Sequence, residues 1–331
     1  MSLPRVVIVI LNWNGWKDTI ECLESVFQIE YSNFKIVLVD NNSTDDSIKK
    51  INEYAEGKLK VESNFFEYSA GNKPLNYQII KKSDNNCTVS DKQLTIIIND
   101  SNDGFAEGNN IGLRYALKHL DPKYLLLLNN DTVVDKFFLY PMIKEGETHE
   151  KIGLLGPKIY YYDDPEVIWC VGGKIDWKFA RGLHVGNKEL DHGQYQVKTH
   201  FDYISGAALL IKKELLENVG LLDKKYFLYF EEVDLELKAA LKGYKNMYIP
   251  QSKIWHKVSR SGGGISKEVG LYYITRNRWI FMKKWAKAVD FLIFVMIQIL
   301  MAIIIPIYLS IYYNNKKLFL TYYRGLRDGI F

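Results

Sequence analysis

Short, uninterrupted apolar runs alternate with amphipathic stretches along the chain up to about residue 135. Val6–Leu11 is apolar at every position, the pattern of a strand buried on both faces. Asp18-Thr19-Ile20-Glu21 reads as a capping box opening a helix with Ile20, Leu23 and Phe27 on one face. Ile36–Val39 is the next strand, stopped by Asp40-Asn41-Asn42-Ser43; Ser43 with Asp46 then opens a second helix towards Tyr54. This βαβα rhythm predicts an α/β fold, a mainly parallel sheet flanked by helices. From about Glu56 to Lys92 the rhythm lapses into sequence rich in Asn, Lys and Ser, expected to be a surface insertion. It resumes with a strand at Leu94–Ile98, a helix from about Glu107 to His119 and a strand at Tyr124–Leu128. Beyond these lie strand-like Ala207–Ile211 and a helix near Val233–Leu241.

The carboxy-terminal pattern is different. Phe291–Tyr313 carries no formal charge and is interrupted only by Gln298, Pro306 and Ser310. It reaches the ~20 residues that cross a bilayer core. Lys283, Lys284 and Lys287 precede it, and Lys316, Lys317, Arg324 and Arg327 follow. Basic residues beside a span tend to stay cytoplasmic, and proline breaks helices. The segment is therefore expected as a helix–break–helix element in the inner leaflet, on the cytoplasmic face of the cell membrane. A single span, or a helix docked on the rest of the protein, stays open. The chain divides accordingly into a domain at 1–285 and a membrane-associated segment at 286–331.

With 331 residues, 47% of them hydrophobic and 25% charged, the chain can bury a large core and is unlike a disordered one. Its 43 basic and 39 acidic residues leave a formal charge of +4, too small an excess to mark a nucleic-acid binder. Cys22, Cys87 and Cys170 have no metal-type spacing, and Met1–Arg5 has no targeting pattern, which points to a reducing, cytosolic compartment.

Asp40 follows one strand and Asn129-Asn130-Asp131 another, and ligands of open α/β sheets bind at the carboxyl ends of strands. Carboxylates there can hold a nucleotide and its divalent metal, or serve only as caps and turn residues. The runs Val7-Ile8-Val9-Ile10-Leu11-Asn12-Trp13-Asn14-Gly15 and Val37-Leu38-Val39-Asp40-Asn41-Asn42-Ser43-Thr44-Asp45 resemble the amino-terminal half of family 2 glycosyltransferases, which have the GT-A fold. Phe105-Ala106-Glu107-Gly108-Asn109-Asn110-Ile111-Gly112, Leu128-Asn129-Asn130-Asp131, Gly206-Ala207-Ala208, Gly220-Leu221-Leu222-Asp223 and Phe230-Glu231-Glu232-Val233-Asp234 continue the resemblance in order. It covers roughly Arg5 to Trp285 outside the insertion, and is nearest to the rhamnosyltransferase-like branch.

The resemblance implies an inverting transfer of a sugar, rhamnose or another hexose, from a nucleotide-diphosphate donor to a saccharide or lipid-linked acceptor. Leu11 and Trp13 would line the base pocket and Asp40 would accept from the base. Gly104, Asn109 and Asn110 belong to the glycine-rich stretch near the nucleotide, although Gly108 and Gly112 equally suit tight helix packing. Asn130, beside the metal position, would help to bind the nucleotide sugar. Asp131, with Asn129 where many members have Asp, would bind magnesium or manganese, and His256 would join the metal or diphosphate, supported by Ser259, Arg260, Ser261 and the glycines that follow. Glu232 would be the base, with Asp234 in reserve, although a first-turn acidic cluster also suits the helix dipole. Arg276, from Tyr272-Tyr273 with Arg276-Asn277-Arg278, would reach phosphate.

Other classes fit less well. A nucleotidyltransferase would want a glycine-rich phosphate loop near the amino terminus, which Asn12–Gly15 is not. No G-x-G-x-x-G follows the first strand, against a dinucleotide oxidoreductase. Asn129 and Glu232 leave an inactive sugar-nucleotide-binding module open.

Overall fold

A computed structural model describes residues 3–83, 91–258 and 264–331. The alternation appears as β1 (Val6–Asn12), α1 (Trp16–Phe27), β2 (Phe34–Asp40) and α2 (Ser47–Ala55). Next come β3 (Tyr77–Lys81), β4 (Leu94–Ile98), α3 (Gly104–His119), β5 (Tyr124–Asn129) and β6 (Thr132–Val134). They are followed by α4 (Leu139–Thr148), β7 (Ile152–Tyr161), β8 (Val167–Cys170), β9 (Gly173–Asp176), β10 (Arg181–His184), β11 (Glu189–Leu190) and β12 (Ala208–Lys212). The chain continues through α5 (Lys213–Val219), α6 (Glu231–Leu241) and β13 (Lys245–His256) to α7 (Glu268–Trp285), α8 (Ala288–Tyr312) and α9 (Lys317–Ile330).

One sheet runs β11-β8-β7-β12-β5-β1-β2-β4-β3, with β13 beside β7 and β6. β5, β1, β2 and β4 are parallel, and β12 enters antiparallel between β5 and β7. Successive side chains of β1 feed opposite cores, as strand geometry requires. Val6, Ile8 and Ile10 pack with Ile20, Leu23 and Ile51 on one face, while Val7 and Val9 pack with Leu113 and Ala116 on the other. Parallel register brings Leu11 opposite Asn129, and Asn12 opposite Asp40, so the strand ends form one polar rim.

Several local expectations are corrected. Helix α1 starts after Gly15, so Asp18 lies within its first turn and accepts from Lys257 Nζ (2.6 Å). Helix α2 starts only at Ser47, because the Ser43 hydroxyl is held by Asp40 (2.6 Å). Helix α3 starts at Gly104 and packs closely on β1: a Cβ at Gly112 would lie 2.5 Å from Val9. The insertion also does more than cover the surface. Its Tyr77–Lys81 adds a parallel edge strand to β4, and its Lys73 pairs with buried Glu24 of α1 (2.8 Å). Tyr54, Ser69 and Gln28 also donate to Glu24, so the carboxyl stays below its usual range although burial alone would raise it.

Helix α8 runs through Pro306 without a break, and the interruption falls instead between Tyr312 and Lys317. Proline has no N–H, which leaves the Ala302 carbonyl one turn earlier without its helical donor. The Tyr323 hydroxyl of α9 donates to that carbonyl (2.8 Å). Helix α9 returns onto α7, where Tyr272 donates to Asp328 (2.8 Å) and Leu271, Leu318 and Tyr322 form a buried cluster. Among the described residues α8 is the one helix long and apolar enough to cross a membrane. Its Leu292, Met296, Ile299, Leu300, Ile303 and Ile304 are exposed.

Candidate active site

At the strand ends lies a cavity of about 630 Å³. Leu11 and Trp13 line one side of it, Gly104 and Asn41 the adjoining corner, Asn129, Asn130 and Asp131 the floor, and Glu231 and Glu232 the far wall. Gly104 is required at its corner: its φ is +81°, and a Cβ there would lie 2.5 Å from the Phe227 ring. Phe227 in turn stacks on Tyr273 of α7, with ring centroids 4.5 Å apart.

The floor is set by the pairing of β6 with β13, which places His256 opposite Thr132. His256 Nε2 thereby reaches Asp131 Oδ1 at 3.0 Å. Burial would raise the Asp131 carboxyl, but His256 holds it below its usual range. The Asn129 Oδ1 and His256 Nδ1 atoms are buried with no hydrogen-bond partner. Asn130 is tied to α1 by donation to Thr19 Oγ1 (2.9 Å). Ser259, Arg260, Ser261, Gly262 and Gly263, expected near His256, lie outside the described residues.

The far wall is the amino-terminal turn of α6. Glu231 and Glu232 each carry one buried carboxylate oxygen with no partner. Burial pushes both carboxyls above the usual range, and Glu232 pushes Glu231 further. The two acids follow a strained loop, with Phe227, Tyr229 and Phe230 all at positive φ. Asn277 of α7 holds this loop by donating to the carbonyls of Tyr226, Leu228 and Tyr229.

Five residues expected at the site do not line the cavity, because their side chains are engaged elsewhere in the protein. Asp40, 1% exposed, accepts from Asn12 Nδ2 (2.7 Å) and from the Ser43 amide and hydroxyl. Asn109 donates to the Phe105 carbonyl, and Asn110 bonds both the amide and carbonyl of Leu222. Arg276 donates to the carbonyls of Lys225 and Tyr226 and lies over the Tyr273 ring. Asp234 is fully buried and held by Lys284 (2.7 Å), Trp285 (2.8 Å) and Tyr226 (3.1 Å).

The sequence reading missed Trp169 and His184. The Trp169 ring meets His184 and His256 edge-on, at 4.4 and 4.7 Å. Burial, and then His256, lowers His184 to about 4, so this ring is neutral near pH 7. Trp169 comes from β8 in the antiparallel half of the main sheet and His184 from the separate two-stranded β9–β10 sheet, and no local pattern marks either.

A second cavity, of about 280 Å³, adjoins the first. His184, Tyr229 and Glu232 line both.

Residues 6–66 match the family model described as glycosyl transferase family 2, and residues 85–282 match glycosyltransferase like family 2. The dTDP-rhamnosyl transferase RfbF of Shigella flexneri is 23% identical over 63% of this chain and 71% of its own length. Other curated relatives are matched over only 20–43% of their own length. Among solved structures, the chain is similar to GalNAc-T7 with UDP, GalNAc and Mn2+ (TM-score 0.57, 17% identity, 83% of this chain and 48% of that one). It is also similar to the mannosyltransferase PcManGT from Pyrobaculum calidifontis in complex with GDP-Man and Mn2+ (TM-score 0.54, 16% identity, 98% and 74%). The fold is the GT-A fold expected from the sequence.

Proposed function

The chain belongs to the family 2 glycosyltransferases, of the rhamnosyltransferase-like kind, and from that premise we propose that it transfers a sugar with inversion from a nucleotide-diphosphate donor to an acceptor hydroxyl. The observation that carries this reading is the place of Glu232, in the wall shared by the two cavities, with an unpartnered oxygen. The larger cavity takes the donor, its base near Leu11 and Trp13 and its diphosphate towards Asp131. The acceptor hydroxyl enters from the smaller one. Glu232 removes the hydroxyl proton as the oxygen forms its bond to the anomeric carbon, and the bond from that carbon to the diphosphate oxygen breaks on the opposite side. The raised carboxyl suits this task, since a stronger base takes the proton more readily.

Asp131, His256 and Asn129 are a fitting set for a magnesium or manganese ion: one ionised carboxylate, one imidazole and one orphaned amide oxygen. Among the described residues no third His, Cys, Asp or Glu joins them, so donor phosphate oxygens would complete the shell. The ion supplies positive charge against the departing diphosphate.

The exposed apolar face of helix α8 supports a reading in which the enzyme works on a membrane, on the cytoplasmic side where nucleotide sugars are available, with a lipid-linked acceptor. Lys287, Lys316, Lys317 and Arg324 are exposed for anionic headgroups, whereas Lys283 and Lys284 bond within the protein. Truncation after Asp290 should release the protein from membranes; continued membrane association would contradict this placement.

A panel of nucleotide sugars scored by thermal shift with manganese tests the donor reading. One donor should raise Tm and be turned over, slowly to free sugar without acceptor. Stabilisation without any turnover would leave an inactive binding module instead.

A further inference from the structure

The smaller cavity holds a cation that the reaction does not use. Its walls come from the β9–β10 hairpin (Ile175, Arg181), the start of α6 and the residue before it (Phe230, Val233) and α7 (Ile274, Arg278). Arg278 Nε is buried with no hydrogen-bond partner, and among the described residues no carboxylate forms an ion pair with this guanidinium. Burial lowers the guanidinium from its ordinary value; the nearby Tyr322 phenol opposes this, and Arg181 adds to it. An arginine nonetheless stays charged at neutral pH. Arg181 itself lies at the rim, paired with Asp176 (3.2 Å).

A buried cation without a counter-ion is costly, and Glu232, the one carboxylate in the lining, lies beyond ion-pair distance of it. Apart from the His184 imidazole, the remaining wall is mainly apolar or aromatic, as at Ile175, Phe230, Val233, Ile274 and Phe281. At about 280 Å³ the space is close to the lower end of small-molecule sites, about 300 Å³. It is a one-sided environment, mostly apolar around a guanidinium whose buried Nε–H has no partner.

We propose that this cavity is an acceptor subsite for an anionic group, a phosphate ester or a carboxylate, which Arg278 binds while the hydroxyl to be glycosylated lies against Glu232. The inference rests on the donor reading of the larger cavity. It gives the acceptor a chemical class: a sugar that carries a negative charge, on itself or on its attachment, near the reacting hydroxyl. The guanidinium fork matches the paired oxygens of either group. The anion also neutralises the charge that the fold leaves bare, and its separation from Glu232 keeps the two negative groups apart.

The full-length protein, saturated with a nucleoside diphosphate and manganese so that the larger cavity is filled, is titrated calorimetrically with glucose 1-phosphate, methyl glucuronide and uncharged methyl glucoside. At least one charged probe should bind roughly tenfold tighter than methyl glucoside, the scale of one charge-assisted hydrogen bond. The tighter of the two identifies the group as phosphate or carboxylate. Arg278→Gln should remove the preference while the nucleotide-induced rise in Tm is kept, and Arg278→Lys should keep part of it. Equal affinity for all three probes in the wild type overturns the proposal, and so does a preference that survives in Arg278→Gln. Should Arg278→Gln not fold, the wild-type comparison and Arg278→Lys still decide. The titration needs no turnover and is repeated without nucleotide, so a failure of the donor reading would appear separately, as absence of nucleotide stabilisation.

Discussion

The two sides of the cavity treat buried polar groups in opposite ways. On the β1–β2 side, Asp40, Asn12 and Ser43 bond to one another, and Asn41 is joined to Asn99 and Asn102. On the floor and the α6–α7 side, Asn129, His256, Glu231, Glu232 and Arg278 each keep a buried atom without a partner. An unmade hydrogen bond on a buried group costs about 1–3 kcal/mol, so a fold keeps such groups where something else supplies the partner. The satisfied side has its buried hydrogen bonds made within the protein. The unsatisfied side is where substrate is expected to complete the bonding.

The largest effect that sharpens this contrast is at Glu232. Glu232→Gln keeps the shape but takes no proton, and transfer should fall about a hundredfold or more with donor affinity unchanged. In the wild type the acid limb of kcat/KM should lie above the ordinary carboxyl value of 4.5, because burial raises the Glu232 carboxyl and the base must be ionised. Asp234→Asn should instead lower Tm, through loss of its pairing with Lys284. A larger loss of transfer from Asp234→Asn, with Tm unchanged, would break the contrast.

Next is Asp131→Asn, which should weaken metal affinity by at least the roughly 10–100-fold that losing even an outer-shell partner costs, measured by manganese titration of activity. Wild-type transfer persisting in excess chelator would remove Asp131 from the mechanism.

Asp40→Ala tests the satisfied side. It strands Asn12 and Ser43 and should cost about 2–3 kcal/mol in denaturant unfolding, with a smaller change in donor KM. A raised KM at unchanged stability would restore the base-binding role that the sequence suggested.

Smaller is Glu231→Gln. A carboxyl raised in the fold is stabilising only below its unfolded value, and that stability is lost as pH rises through the raised value. Removing the ionisable group should therefore raise Tm at neutral pH, and the gain should vanish below about pH 4.5, near the unfolded carboxyl value. Smallest is Tyr323→Phe, which frees the Ala302 carbonyl above Pro306 and should cost under about 1 kcal/mol at this exposed position.

The same contrast explains what could be read from the sequence. The apolar runs of β1, β2, β4 and β5 are continuous because helices cover both faces, so the strands, their parallel arrangement and the polar strand ends were legible. Local capping signals misled at Asp18 and Ser43, since a distant partner, Lys257, holds the first side chain and the strand-end Asp40 holds the second. The edge strand Tyr77–Lys81 went unseen because it is only half-buried and its alternation is weak. The resemblance pointed to Asp131, His256 and Glu232, which line the cavity, and equally to Asp40, Asn110 and Arg276, which do not. That distinction depends on who bonds whom across the sheet. It is also why Trp169, His184 and the charged interior of the second cavity left no local mark.

The central claim is that Glu232 drives a single displacement between the two cavities. The anomeric configuration of the product, read from proton NMR coupling in a reaction with the donor that the panel identifies, tests it most directly. The account predicts a configuration opposite to that of the donor; a product with the donor's configuration retained would contradict it.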